Sequence, residues 1–405
     1  MKDSYRATGS GNGTGPTPRE KAVLVGVHWG HRSPEEMEDS LEELRCLAET
    51  AGAEVVGVVG QRRERPDPAT LVGRGKLEEI ASIVGERGAD LVIFDQDLSP
   101  SQQRNLENRL GVKVLDRTAL ILDIFAIHAH SKEGKAQVEM AQLQYSLTRL
   151  TGRGAELSRL GGGIGTRGPG ETKLEVDRRR IHQRIRTLRK ELQELSRVRR
   201  IKRKKRERFS IPVFALVGYT NAGKSSLLNA MSRARVLVED KLFSTLDPVT
   251  RRIVLPDGRT ALLTDTVGFI NHLPHQLVEA FKSTLEEVRE ADVLIHVMDA
   301  SARELERKVR VVEGILEEIG AGDLPVILAL NKTDLIEQER RRELERAFPG
   351  AIFISALTGQ GLEDLRSEML SRLSSARDGA CPGAGPSLPS RLPPHQPPSR
   401  NPSYP

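Results

Sequence analysis

Cysteine is almost missing from this chain: of 405 residues, only Cys46 and Cys381 carry a thiol. That argues against a disulfide framework or a cysteine-built metal centre, and it fits a reducing cytosol. Long apolar runs are missing as well. The most apolar stretch, ALILDIFAI at Ala119–Ile127, is short and broken by Asp123. It reads as a buried element and not as a membrane span. The opening residues, MKDSYRATGSGNGTGPTPRE, have no apolar centre, so no signal peptide is expected. Nor does one sign of charge dominate: 62 Lys and Arg stand against 56 Asp and Glu, a net +6. Where the charge sits therefore matters more than its sum. The expectation is a cytoplasmic, soluble protein with no membrane span.

What is present divides into five stretches, and a chain of this length has room for two or three cores. Residues 1–20 and the Pro-rich residues 376–405 read as disordered tails. Over 21–127, strand-like runs (AVLVGVHW, AEVVGVVG, DLVIFDQ, VKVLD) alternate with helical ones, the rhythm of a small parallel-sheet α/β domain. Its first helix opens on a capping box, with Ser33 as N-cap, Pro34 next and Glu36 closing it; Ser99 is a second N-cap. Over 128–209, apolar residues recur at Met140, Leu143, Leu147 and Leu150, then at Ile181, Ile185, Leu188, Leu192 and Leu195. Spacings of three and four make a coiled-coil seam. Two seams joined by a Gly-rich segment predict an antiparallel helical hairpin with a Gly-rich tip and a basic end. Two helices packed on separate domains are the alternative. Over 210–375 the β-α alternation resumes, and the turn PDGR predicts one antiparallel pair within a mostly parallel sheet.

This last domain carries the chemistry. GYTNAGKS, Gly218–Ser225, fits the phosphate-loop pattern, follows an apolar strand and opens a helix. Gly218 and Gly223 let backbone N–H groups curl round a phosphate at a helix N-terminus. Lys224 would reach the β and γ oxygens, and the Ser225 hydroxyl would ligate Mg²⁺. Downstream, DTVG supplies Asp265 for Mg²⁺ through water and the Gly268 N–H as a γ-phosphate sensor. In NKTD, Asp334 can accept two hydrogen bonds from guanine that adenine does not offer, so GTP is favoured over ATP. Asn331 and Lys332 brace that loop, and SAL places the Ala356 N–H at guanine O6. Within FSTLDP, Thr245 is the candidate switch residue for the Mg²⁺ shell, with Ser244 and Thr250 as rivals. Residues expected at the nucleotide are thus Gly218, Tyr219, Thr220, Asn221, Ala222, Gly223, Lys224 and Ser225 in the loop, and Phe243, Ser244, Thr245, Leu246 and Asp247 in the switch. To these add Asp265, Thr266, Val267 and Gly268, then Asn331, Lys332, Thr333 and Asp334, and finally Ser355, Ala356 and Leu357. Lys224, Thr245 and Gly268 are the candidate catalytic residues. Many related hydrolases follow the sensor glycine with a Gln that orients water. Phe269 stands here and cannot, so slow turnover and an activating partner are expected, and the water-positioning group is left unassigned.

GYTNAGKSSLLNA, FSTLDP, DTVGFI, NKTDL and SALTGQGL together resemble the Obg–HflX group of translation-factor-related GTPases. LVGRGKLEEI, LDRTALILDIFAIHAHSKEGKAQVEMAQLQY and GGGIGTRGPGETKLEVDRRRI narrow the likeness to the HflX family of ribosome-associated GTPases, over roughly Lys21 to Leu373. The resemblance implies an N-terminal α/β domain, a coiled-coil hairpin and a Ras-like G domain. It also implies GTP hydrolysis despite Phe269, and a role in ribosome binding and subunit splitting under stress. Asn221 resembles the loop residue of K⁺-activated relatives. Whether it holds K⁺ or only braces the loop stays open.

The segment RLGGGIGTRGPGETK, at the expected hairpin tip, carries Arg159, Arg167 and Lys173 on Gly-rich backbone suited to close approach to RNA phosphates. By the resemblance, it reaches rRNA of the large (50S) subunit. The run RVRRIKRKKRER could bind RNA phosphates, and the scarcity of aromatics argues against base stacking. A monomer is expected. In the N-terminal domain, Gly73, Arg74, Gly75 and Lys76 precede a helix, and the family association with ATP makes them candidates; a plain turn is the simpler reading. The competing functions are an RNA-remodelling module driven by ATP at that domain, or an assembly chaperone with the G domain as regulator.

Overall fold

Two stretches of β-α alternation, with a long helical pair between them, organise the computed structural model, which describes residues 19–30, 34–150, 169–208, 211–232, 242–243, 245–271 and 282–377. Ser33, Ser244, Arg159, Arg167 and the two tails, apart from residues 19–20 and 376–377, lie outside the described residues. The chain divides into two compact units, Met1–Asp123 and Ile124–Pro405. The division falls inside a helix, four residues before the boundary expected after Ile127. Among the described residues no helix is long and apolar enough to cross a membrane.

The first unit is a four-stranded, wholly parallel sheet in the order β2-β1-β3-β4, built from Lys21–Trp29 (β1), Glu54–Arg63 (β2), Leu91–Phe94 (β3) and Lys113–Asp116 (β4). Alternation along β1 sends Val23, Val25 and Val27 to one face. There they pack with Leu77, Ile80 and Val84 of α2 (Arg74–Arg87) and Leu106 and Leu110 of α3 (Pro100–Leu110). Gly26, on the opposite face, lies against Leu41 of α1 (Pro34–Thr50). Helices on both faces are what an all-parallel sheet requires. Helix α3 starts as expected: Ser99 and Gln102 form a reciprocal capping box, with Pro100 in the first turn. At the end of β4, Arg117 is almost fully buried, donating to Asp95 at 2.5 Å and pairing with Glu43.

In the second unit, α5 (Lys132–Leu150) and α6 (Pro169–Arg208) form the hairpin. The ion pairs Glu133–Arg199 and Glu139–Arg184 fix them antiparallel, since the earlier residue of α5 meets the later residue of α6. The seam buries Ala136, Met140, Ile185 and Leu188, flanked by Leu143, Ile181 and Leu192. The basic end continues α6, which reaches about 60 Å at 1.5 Å per residue. The helix that leads into the hairpin, α4 (Arg117–His128), sends Phe125 edge-on to Phe243, with ring centroids 4.7 Å apart.

The same unit holds a six-stranded sheet in the order β10-β9-β8-β5-β7-β6. Its strands are Val213–Val217 (β5), Val249–Val254 (β6), Thr260–Asp265 (β7), Val293–Asp299 (β8), Val326–Asn331 (β9) and Ile352–Phe353 (β10). Only β6 runs antiparallel, joined to β7 through the PDGR turn with Gly258 at φ 83°. Its helices are α7 (Lys224–Ser232), α8 (Lys282–Arg289), α9 (Leu305–Glu318), α10 (Gln338–Ala347) and α11 (Leu362–Arg377). Strands β5, β7, β8 and β9 all end at one edge of the sheet, and every nucleotide motif leaves from that edge. This is where ligands sit in open α/β sheets.

Candidate nucleotide-binding site

The phosphate loop runs from the end of β5 into α7 round a cavity of about 740 Å³. Asn221 sits at φ 58°, a left-handed conformation that Asn tolerates better than most residues. A Cβ on Gly223 would fall 2.2 Å from Asn331 Nδ2, so only glycine lets the loop meet the base-side strand. Gly268 is also tightly enclosed on the other flank, where a Cβ would lie 2.9 Å from Thr220 Cα. Two backbone bonds zip the sensor to the loop: Thr220 N–H to Phe269 O at 2.7 Å, and Phe269 N–H to Gly218 O at 3.1 Å. The Tyr219 hydroxyl adds a third, accepting from the Asn271 N–H at 2.9 Å.

Phe269 itself is 1% exposed and does not line the cavity. Its backbone fastens the sensor while its ring fills the core. Thr220 is 7% exposed, and its hydroxyl has no hydrogen-bond partner among the described residues. A buried orphan hydroxyl is costly unless a ligand satisfies it.

Lys224 donates to Gly218 O at 3.1 Å and Tyr219 O at 2.9 Å, which aims its ammonium along the loop. Burial pulls its pKa down to about 8, against the opposing influence of the Asp265 carboxylate. Asp265 is held up by its own burial and drawn back by Lys224 and by the Ser225 and Thr245 hydroxyls. Three oxygens converge here: Ser225 Oγ lies 2.6 Å from Asp265 Oδ2 and 2.8 Å from Thr245 Oγ1. A small set of hard oxygen donors beside a phosphate loop fits Mg²⁺, which keeps waters and takes its other ligands from phosphate. Among the described residues no cluster of three His, Cys, Asp or Glu side chains competes for a metal.

At the base end, Asn331 holds three segments together. Its Nδ2 donates to Ala222 O at 2.9 Å, and its Oδ1 accepts the Ala356 N–H at 3.0 Å. The N–H expected at guanine O6 is therefore given to Asn331 in this structure. Ser355 Oγ donates to Asp334 Oδ1 at 2.5 Å, which orients the carboxylate expected at the base. Lys332, at φ 63°, pairs with Asp299 at 2.7 Å. Thr333 donates from both N–H and hydroxyl to Ile354 O, so it braces the loop from behind.

Of the residues expected at the nucleotide, Thr220, Asn221, Gly223, Lys224, Ser225, Phe243, Thr245, Thr266, Gly268, Asn331, Lys332, Asp334, Ala356 and Leu357 line the cavity. Gly218, Tyr219, Ala222, Leu246, Asp265, Val267, Thr333 and Ser355 are not among the lining residues. Thr250 is removed from the site, its hydroxyl bonded to that of Thr264 across β6 and β7. Asp247 differs most from expectation, because its carboxylate turns away from the cavity towards Ser131. Four lining residues were not anticipated: Ser226, Asn229, Ala230 and Leu335. Asn229 lies four residues after Ser225 on α7, one turn along the same face, and that spacing was a readable signal.

Two of the N-terminal candidates have local partners. The Gly73 N–H donates to Gln61 at 3.0 Å, and Lys76 pairs with Glu79 at 2.7 Å. Lys173 and the whole basic run lie in α6, and among Arg197–Arg208 the described side chains include Arg199, which pairs with Glu133 at 2.8 Å and Glu286 at 3.5 Å.

Comparison with known proteins covers nearly the whole of this arrangement. Residues 38–126 match a family described as the N-terminal region of a GTP-binding GTPase, and residues 128–206 match its middle region. Residues 213–332 match a family described as a 50S ribosome-binding GTPase. The chain is 56% identical over 319 residues to GTPase HflX of Caldanaerobacter subterraneus subsp. tengcongensis, covering 79% of this chain and 74% of that one. It is 45% identical to GTPase HflX of Escherichia coli, covering 88% and 83%. A solved GDP complex of SsGBP aligns with a TM-score of 0.49 at 29% identity, covering 88% of this chain and 99% of the other.

Proposed function

Since the chain belongs to the HflX family of GTPases, we propose that it binds the large ribosomal subunit and uses GTP as an affinity switch, acting in subunit splitting or rescue under stress. GTP binding and hydrolysis are the family's activity. The ribosomal role is the extension, and the observation that supports it is the match of residues 213–332 to a family described as ribosome-binding, joined to a long basic helical hairpin.

The chain's own residues divide the work. Lys224 and the loop N–H groups hold the phosphates, and Gly268 reads the γ-phosphate through its backbone. Ser225, Thr245 and Asp265 would hold Mg²⁺, which supplies charge neutralisation on the transferring phosphoryl. Asp334 selects guanine. Phe269 contributes no water-positioning group, so intrinsic turnover is slow. Asn221, lining the cavity in a left-handed conformation, is the residue that would face a K⁺ ion.

One assay tests the reading. GTP hydrolysis by the intact chain is measured alone and with purified 50S and 70S particles, in KCl and in NaCl. Stimulation by 50S and a faster rate in KCl, the latter lost in Asn221→Ala, are expected. Equal rates with and without ribosomal particles would end the ribosomal proposal, and equal rates in the two salts would leave Asn221 as a brace.

A further inference from the structure

The segment Thr245–Asp247 faces two ways at once. Thr245 Oγ1 meets Ser225 Oγ at 2.8 Å on the metal side of the cavity. Leu246, between them, is 2% exposed. Asp247 then points the other way, onto the N-terminal turn of α5 in the hairpin. Its Oδ2 accepts the His130 N–H at 3.0 Å and the Ser131 N–H at 2.7 Å, and its Oδ1 accepts the Ser131 hydroxyl at 2.5 Å. The same Ser131 Oγ accepts the Gly134 N–H at 2.8 Å, so Ser131 caps the helix while Asp247 caps Ser131. A carboxylate is well placed there, because the first turn of a helix presents free N–H groups and the positive end of its dipole.

Gly134 makes the contact possible. A Cβ at that position would lie 2.4 Å from Asp247 Oδ1, closer than two such atoms can come. Nothing in helix α5 itself asks for glycine, which is the poorer helix former by roughly 1 kcal/mol against Ala. The position thus gives up helical stability and gains room for the switch carboxylate. Behind the contact lies a cavity of about 350 Å³, bounded by Ser131, Gln137, Arg199, Asp247 and Thr250. The carboxylate has space to leave its site, so the contact can open. A second tie runs nearby, where Arg199 of α6 spans Glu133 of α5 and Glu286 of α8.

We propose that Asp247 is a positioning residue: by docking on Ser131 and Gly134 it holds the Thr245 hydroxyl on the metal side, so that preference for GTP over GDP depends on the N-terminal turn of the hairpin. One residue, buried Leu246, separates the anchored carboxylate from the hydroxyl and removes slack between them. A displacement of α5 therefore moves Thr245, and by linkage a nucleotide that engages Thr245 resists that displacement. A load placed on the hairpin by a partner would be felt at the nucleotide, and the reverse. The inference rests on Thr245 being the residue that senses the GTP state.

The test compares Gly134→Ala, Asp247→Asn and Thr245→Val with the unaltered full chain. The readout is the ratio of affinities for a non-hydrolysable GTP analogue with Mg²⁺ and for GDP, followed with fluorescent nucleotides. Gly134→Ala is the informative variant, since it strengthens the helix while blocking the carboxylate. All three variants are expected to lower the ratio about fivefold or more, within the usual range of coupling between sites, with GDP affinity nearly unchanged. A ratio equal to wild type in Gly134→Ala and Asp247→Asn, with Thr245→Val reduced, would overturn the coupling alone. A wild-type ratio in Thr245→Val would overturn the reading of Thr245 and the proposal with it.

Discussion

His296 carries a charge constraint that no motif in the chain announces. It lies on β8, is 2% exposed, and burial together with the Lys224 ammonium pulls its pKa from 6.5 to about 4. In the folded protein it is therefore neutral through the range where an unfolded chain would protonate it. The sign follows: the contribution is complete above about pH 6.5, declines as pH falls, and levels off below the folded value. Full loss corresponds to about 3 kcal/mol at 1.36 kcal/mol per unit. Urea unfolding of the nucleotide-free protein should show stability falling from neutral pH towards pH 5, with a shallower fall in His296→Gln. Identical slopes in the two proteins would mean that His296 takes up its proton at the same pH in the folded and unfolded chain. At this same scale, the lining of the cavity is largely legible, because each motif pairs a fixed spacing with one chemical need. Phe269 was legible only in part. Its inability to orient water follows from its side chain, but its role in zipping the sensor to Gly218 and Thr220 runs through the backbone, where sequence is nearly silent. Lys224 and His296 sit close enough to interact, yet 72 residues separate them, so that neighbourhood appears only with the sheet in place.

Elements show a sharper division between what was readable and what was not. The N-cap at Ser99 and the seam of α5 and α6 follow from local spacing, and both are present. Leu188 is the centre of that seam, 1% exposed and packed with Ala136, Met140 and Ile185. Leu188→Ala removes three buried carbons in a place with few neighbours able to collapse inwards. The expected cost is about 2 to 5 kcal/mol, read as an earlier urea transition with the α-helical signal at α5 and α6 lost first. A variant with an unchanged transition would mean that the hairpin draws its stability from its ends. Those ends are what sequence spacing could not give. Asp247 meets Ser131 across 116 residues, whereas its place in the switch motif predicts a nucleotide contact. A carboxylate two residues after the switch hydroxyl looks the same in sequence whether it faces the ligand or a helix. Only the placement of α5 decides between them. Thr250 was a rival to Thr245 for the same reason, and pairing of β6 with β7 commits its hydroxyl to Thr264.

Across the whole molecule, charge is concentrated far more than its total suggests. Helix α6, Pro169–Arg208, holds 17 Lys and Arg against 6 Asp and Glu, a net +11. The chain totals +6, so everything outside that helix sums to −5. A single element more basic than the protein that carries it would favour a polyanion, since a net-negative remainder would repel nucleic acid and leave the hairpin as the approach. Ion pairs offset only part of it, since Glu133 and Glu139 of α5 and Glu286 of α8 bring three outside carboxylates to Arg199 and Arg184. If the partner is ribosomal RNA, binding must release counterions from its phosphates, and affinity must fall with salt. Neutralising only two phosphates already predicts roughly a tenfold loss between about 50 and 200 mM monovalent salt, and more contacts make the fall steeper. The measurement is co-sedimentation of the full chain with 50S particles in a non-hydrolysable GTP analogue, across a salt series. Replacing Arg203, Lys204 and Lys205 with Gln should lower the slope of log affinity against log salt without changing GTP affinity, because those residues are remote in sequence from every nucleotide motif. A flat salt response would place the docking energy in apolar or shape contacts and would remove the basic helix from the interface.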